Sequence, residues 1–343
     1  MSRVFIIAEA GVNHNGSETL ALQLVDVAAE AGADAVKFQT FSADKLVARG
    51  TAKAEYQQRE TGGGDQHSML RALELSEAAH RRIAAHCRSR GIEFMSTPFD
   101  DDAARLLVGL GMRRIKVPSG EITNSPFLRV LASFGLPLVL STGMADLAEI
   151  LDAVDTVKAA WSRMGRSPAA DDLTILHCTS NYPADVGDVN LNAMATIAAA
   201  TGMPVGYSDH TLGIAVSTAA VALGARVIEK HFTLDTLLAG PDHRASLDPA
   251  GLKALVQAIR DIERAMGSAV KAPTATELPV RALVRRSIAA ARDLPAGTAL
   301  ALADLQLLRP GSGLPPSQLD VTVGRRTCRA IAAGTLLSPD DLQ

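Results

Sequence analysis

The sequence predicts a (β/α)₈ TIM barrel followed by a small β-rich domain. Three observations predict it. Eight short apolar runs alternate with helix-like segments over roughly 230 residues, the size of such a barrel. Every run ends in polar or ionisable residues. After residue 267 the texture changes to small residues and prolines, then to a β-like pattern.

Taken in order, the first run (VFIIAEAG, 4–11) ends at Glu9 and enters "NHNG" (13–16), either a turn that leaves the strand or one that lines a site. The second (AVKFQT, 35–40) presents Lys37 and Gln39, and the third (EFMSTPF, 93–99) Ser96 and Thr97. The fourth (RRIKVPS, 113–119) carries Lys116 and Ser119, and the fifth (PLVLSTG, 137–143) Ser141 and Thr142. The sixth (LTILHCTS, 173–180) ends in His177, Thr179 and Ser180, and the seventh (PVGYSDH, 204–210) in Ser208, Asp209 and His210. The eighth (VIEKHFT, 227–233) ends in Glu229, Lys230 and His231. Between them lie stretches such as "TLALQLVDVAAEAGA" with helical periodicity, so right-handed βαβ units and a parallel sheet follow. An open doubly wound sheet is the alternative, but "AEAGVNHNG" lacks the spacing of a glycine-rich phosphate turn. In a parallel barrel the strand C-termini share one face, and eight polar endings in succession make a ring around one mouth.

Residues 1–267 are therefore read as the barrel, 268–284 (with "SAVKAPTATELP") as a linker and 285–343 as the second domain. That domain contains an internal echo, "LPAGTALALADL" (294–305) against "IAAGTLLSPDDL" (331–342), which reads as two strand–turn–strand units.

Composition narrows the function. With 3% aromatic residues, a net charge of −3 and no long basic run, the chain is not expected to bind nucleic acid. Cys87, Cys178 and Cys328 have no short metal-ligand spacing, and their odd number fits a reducing cytoplasm. No apolar stretch is long enough for a membrane span.

The chemistry sits at the strand ends. His210 and His231 end neighbouring strands, which lie about 5 Å apart, so they can share a divalent cation or serve as hydrogen-bonded structural residues. Lys37 and Lys116 with Ser119, Ser141, Ser180 and Ser208 suit a phosphate or carboxylate. Alternatively each lysine pairs with a carboxylate such as Glu9 or Glu121, or one forms a Schiff base. Glu9, Glu229 and Asp242 are the candidate acids and bases. "GPDHRASLDP" (240–249) falls where a lid over the mouth would lie, with His243 and Arg244 read as surface groups. The period of two turns Lys230 to the outer side of its strand as a structural partner.

Together the stretches "AEAGVNHNGS", "VKFQTF", "STPFD", "KVPSGEITN", "LSTGM", "LHCTSNYP", "GYSDHTLG", "IEKHFTLD" and "GPDHRASLDP" resemble the sialic acid (N-acetylneuraminate) synthase family of bacterial nonulosonate synthases. "RRSIAAARDLPAGT" with "LRPGSG" resembles its C-terminal antifreeze-like (SAF) domain. The resemblance implies metal-dependent condensation of phosphoenolpyruvate with open-chain N-acetylmannosamine, giving N-acetylneuraminate and phosphate. A legionaminic acid synthase acting on a 2,4-diacetamido-trideoxy-mannose is the alternative, and a Schiff-base pyruvate lyase a more distant one. It further implies that His210 and His231 hold the metal, usually Mn²⁺, with Mg²⁺ or Co²⁺ as substitutes. Lys37, Gln39, Thr97, Lys116, Ser119, Ser141, Ser180 and Ser208 would surround phosphoenolpyruvate, although Ser180 stands where some members have Asn. Tyr182, Glu229 and Asp242 would face the sugar, and Glu9 would handle a proton. Arg309 would reach the sugar's N-acyl group from the other protomer of a domain-swapped homodimer.

Overall fold

The computed structural model describes residues 3–167, 169 and 171–343. They fall into two compact units, Met1–Gly267 and Ser268–Gln343.

The first unit is a TIM barrel. Its strands are β1 (Phe5–Gly11), β2 (Ala35–Thr40), β3 (Glu93–Pro98), β4 (Ile115–Val117), β5 (Leu138–Ser141), β6 (Leu173–Cys178), β7 (Val205–Asp209) and β8 (Val227–His231). All ladders are parallel, in the order β3-β2-β1-β8-β7-β6-β5-β4, and the outermost strands β3 and β4 pack side by side to close the sheet. The register sets Glu9 beside both Lys37 and His231, and Ser208 beside Glu229. Helices cover the outside because their sequences cap and pattern correctly. In Glu18–Ala31, Ser17 Oγ accepts the Leu20 N–H, Glu18 opposes the helix dipole, and Leu24, Val25 and Ala28 face the sheet. The outer layer holds the main apolar core, including Ile6, Val36, Ile175 and Ile228. A smaller plug inside the barrel, with Ile7, Met95, Val139, Leu176 and Val227, seals the end opposite the mouth.

One barrel connection is elaborated. Between β2 and β3, three short helices (Ala43–Leu46, Glu55–Thr61 and Gln66–Leu73) precede the covering helix Glu77–Arg90. They rest on a satellite cluster of Val12, Phe41 and Leu73, with Met69, Leu70 and Phe99 against it.

In the second unit the stretch expected as a linker contains a helix, Glu277–Val284. It carries Leu278, Leu283 and Val284, all exposed. The unit's one sheet among the described residues is the antiparallel pair β9 (Ser287–Ala290) and β10 (Leu305–Leu308). The two echoed segments meet through a single isolated bridge, Leu294 with Ile331, rather than as full strands. Among the described residues, no helix is long and apolar enough to cross a membrane.

Candidate active site

A cavity of about 520 Å³ opens at the strand C-termini. Every barrel residue that the family resemblance assigns to the site lines it: Glu9, Lys37, Gln39, Thr97, Lys116, Ser119, Ser141, Ser180, Tyr182, Ser208, His210, Glu229, His231 and Asp242; the strand-end residues Ser96, Thr142, His177, Thr179, Asp209 and Lys230 do not. Arg309 belongs to the second unit and is exposed.

The centre is a buried charge cluster. Lys37 Nζ lies 2.7 Å from Glu9 and 3.6 Å from Glu229, and donates to Thr97 Oγ1 at 2.8 Å. Lys116 Nζ lies 3.4 Å from Glu229, which also accepts from Ser208 Oγ at 3.1 Å. Of the two carboxylates named as possible lysine partners, Glu9 takes that part; Glu121 instead accepts from Asn124 Nδ2. The two central carboxylates are driven apart. Burial, reinforced by the charge of Glu229, lifts Glu9 to about 7 in spite of Lys37. Burial also opposes the charge on Glu229, but Lys116 and Lys37 overcome it and hold Glu229 at about 2. Glu229 thus carries the negative charge and Glu9 is poised to exchange a proton at neutral pH. With Glu9 protonated, two ammonium groups face one carboxylate, and the excess positive charge suits an anion.

Ser119, Ser141 and Ser180 surround the same space. Ser141 Oγ is buried without a hydrogen-bond partner, so a donor is left for a ligand. Ser119 Oγ accepts the Gly143 N–H at 2.9 Å. A Cβ at Gly143 would overlap the Ser180 and Ser119 hydroxyls, so only glycine lets these two serines converge.

The histidine rings lie with centroids 5.5 Å apart. His210 Nδ1 bonds the Thr179 carbonyl at 2.7 Å, which fixes the tautomer and leaves Nε2 for a ligand. His231 Nδ1 is buried without any partner, and burial, His210 and Lys37 keep this ring neutral. Gly11, at φ +53°, brings its backbone against that ring; a Cβ there would come 3.1 Å from His231 Cε1. Two neutral-capable imidazoles, one with an orphaned nitrogen, fit a divalent cation whose remaining positions are filled by water or substrate oxygens. Among the described residues no cluster of three or more His, Cys, Asp or Glu groups has metal-ligand geometry.

Some expectations are corrected. "NHNG" does not line the cavity: Asn13 and His14 are buried behind it, and Asn13 Nδ2 donates to the Phe232 carbonyl and to Ser246 Oγ. His243 is not a surface group; it is fully buried, 2.7 Å from Thr233 Oγ1. Arg244 is exposed. Lys230 does turn outward, but into the packed layer under the helices.

Sequence reasoning missed several wall residues, Tyr56 and Cys178 nearest the histidines. Tyr56, from the helices inserted between β2 and β3, stacks on Tyr182 at 5.1 Å, and Tyr182 lies 4.0 Å over His210. Cys178 Sγ lies 3.8 Å from His210 Nδ1. The inserted segment also brings Leu46, Val47, Met69 and Leu70 to the cavity, so one wall is apolar. The long gap between the second and third runs was the available signal for it.

The NeuB family model matches residues 24–271 and the SAF domain model residues 285–343. The N,N'-diacetyllegionaminic acid synthase of Legionella pneumophila is 55% identical over 334 residues, which cover 97% of this chain and 93% of that protein. The N,N'-diacetyllegionaminic acid synthase of Campylobacter jejuni is 43% identical, with 95% and 96% covered. The crystal structure of N-acetylneuraminic acid synthetase from Leptospira borgpetersenii is similar with a TM-score of 0.69 at 33% identity, covering 81% of this chain and 90% of that one.

Proposed function

The chain belongs to the NeuB family, and from that premise we propose that it condenses phosphoenolpyruvate with the open-chain aldehyde of a 2,4-diacetamido-trideoxy-mannose. The products are N,N'-diacetyllegionaminic acid and phosphate. The observation that carries the reading is the near full-length similarity, at 55% and 43% identity, to two synthases of that acid. It reverses the ranking drawn from motifs alone, in which N-acetylmannosamine led. The apolar wall of Leu46, Met69 and Leu70 supports the change, because a deoxy sugar with a second acetamido group presents more methyl surface than N-acetylmannosamine.

The residues divide the work. Lys37, Lys116 and the serine hydroxyls hold the phosphate and carboxylate of phosphoenolpyruvate, with Thr97 and Gln39 beside Lys37 and Glu9. Tyr182, Glu229 and Asp242 face the sugar. His210 and His231 hold a divalent metal, Mn²⁺ in this reading, which when bound acts as a Lewis acid toward the aldehyde oxygen. The enol carbon of phosphoenolpyruvate attacks the aldehyde carbon, the aldehyde oxygen takes up a proton from solvent to become a hydroxyl, and positive charge develops at the carbon bearing phosphate. Glu9 accepts a proton from the water that adds there. The lysine and serine cluster stabilises the phosphate as its C–O bond breaks. The acting form is a domain-swapped homodimer in the cytoplasm, in which Arg309 of a second copy reaches the sugar's N-acyl group. Met144, Leu212 and Leu237, exposed on the loops after β5, β7 and β8, support an apolar rim that such an assembly covers.

The specific observation favouring N-acetylmannosamine, the second reading, is the Leptospira likeness. Phosphate release with each sugar decides between them. The diacetamido sugar is expected to give a kcat/KM at least about tenfold higher, the worth of one or two apolar contacts. A reversed preference would install the second reading, and a borohydride-trapped pyruvate adduct on Lys37 or Lys116 would sink both.

A further inference from the structure

Each of the two histidines follows a residue of opposite charge. Asp209 precedes His210 at the end of β7, and Lys230 precedes His231 at the end of β8. The ladder pairs Asp209 directly with Lys230. Because side chains alternate, Ser208, His210, Glu229 and His231 reach the cavity while Asp209 and Lys230 point into the layer beneath the helices. There they form an ion pair at 2.9 Å with both side chains fully buried.

The pair is tied on every side. Asp209 Oδ1 accepts from the Thr211 backbone N–H and from Thr211 Oγ1, both at 2.8 Å. Asp209 Oδ2 accepts from Ser217 Oγ at 2.5 Å. Lys230 Nζ also donates to the Thr211 carbonyl. His210 is therefore bracketed by two residues, Asp209 and Thr211, that are both fastened to Lys230. The following stretch of β8 is held as well: the Phe232 N–H donates to the Glu9 carbonyl at 3.0 Å, and the His231 carbonyl accepts from the Leu247 N–H at 2.9 Å.

Burying two charges in an apolar layer is a poor way to stabilise a fold, since well-packed apolar side chains do as well or better. What an ion pair adds is registry, because it allows one relative height of the two strands. We propose that Asp209 and Lys230 are positioning residues: their buried pair, on the outer face of β7 and β8, locks the height at which His210 and His231 present their rings to one metal ion. The inference rests on the reading of those histidines as metal ligands.

The test is Mn²⁺ titration calorimetry on the full-length chain, with melting followed by Trp161, the single tryptophan and a buried barrel residue. Asp209→Asn combined with Lys230→Met removes the ion pair, nearly keeps the volume and leaves an amide oxygen to accept from the Thr211 donors. It is expected to weaken Mn²⁺ binding about 10- to 100-fold, the range for groups that orient ligands, while the melting midpoint stays level or rises. Unchanged affinity in the folded double variant overturns the proposal. So does an affinity loss accompanied by a matching fall in melting midpoint, which is what a merely structural pair would give. Ser217→Ala, which strips one bond from Asp209 and spares the charges, decides the matter if the double variant does not fold: a loss of about two- to fivefold supports the positioning role, and wild-type affinity overturns it. Wild-type protein that binds no Mn²⁺, or His231→Ala that binds it normally, removes the metal reading itself and this inference with it.

Discussion

Glu9 and Glu229 are the same residue type within one cavity, yet their surroundings assign them different protonation states. Two ammonium groups and the Ser208 hydroxyl serve Glu229, whereas Glu9 shares Lys37 and stands against the Glu229 charge. If Glu9 is the base, its working form is the carboxylate, which grows as pH rises through about 7. The log of kcat should then climb with unit slope below that pH and flatten above it. Glu9→Gln should remove the acid limb and lower kcat by roughly 10²–10⁴-fold with little change in KM for phosphoenolpyruvate. A variant that keeps the limb would assign it to another group, with Asp242, lifted to about 6 by burial, next in line. Both carboxylates were legible in the sequence because strand periodicity and the polar ending fix which residues reach a barrel mouth. Their opposite protonation was not, since it depends on which lysine each one meets across the barrel, and only the closed sheet settles that.

At the scale of elements, the eight strands were readable because each buries an apolar start and stops at a polar end. The segment 43–73 was not, because its helices are short and carry no long period. What places them is the satellite cluster around Val12, Phe41 and Leu73, which ties the connection after β1 to the one between β2 and β3. That segment delivers Tyr56 to Tyr182, and through it to His210. Stacked rings of this kind contribute about 1 kcal/mol beyond their buried area, and they also hold Tyr182 at a fixed tilt. Tyr56→Ala should therefore raise KM for the sugar about five- to tenfold and leave KM for phosphoenolpyruvate near its wild-type value. Steady-state kinetics with each substrate varied in turn checks this, and a parallel rise in both constants would show that the segment shapes the whole mouth. The C-terminal echo, also visible in the sequence, has a physical basis in repeated ion pairs. Arg292 meets Asp304 and Arg329 meets Asp341, each at 2.7 Å and each twelve residues apart (304 − 292 and 341 − 329). Each aspartate also caps the turn before it, through the Ala301 and Ser338 N–H groups. The echo was read as paired strands because its apolar spacing suits them, but the chain between the turns makes only isolated bridges.

For the whole barrel, the same burial that builds the site creates a liability to acid. Behind the cavity, His14, His80 and His243 are almost fully buried. Their hydrogen bonds go to neutral groups: His14 Nδ1 accepts the Gly16 N–H, His80 meets Thr40 Oγ1, and His243 meets Thr233 Oγ1 and Asn15. Burial lowers all three, His14 and His243 to about 4. A histidine depressed in this way binds its proton more readily in the unfolded chain, so folding is favoured fully above the unfolded value near 6.5 and progressively less as pH falls toward 4. For His14 the difference of about 2.5 units corresponds to about 3 kcal/mol once pH has passed below both values. Barrel melting followed by Trp161 fluorescence should therefore lose ground steeply between pH 6.5 and 4. His14→Asn, which offers an uncharged acceptor to the Gly16 N–H, should start from a lower midpoint at pH 8 and show a shallower decline. Curves for the two proteins that run parallel across that window would mean that His14 takes up no proton on unfolding, and the acid sensitivity would then fall to His80 and His243.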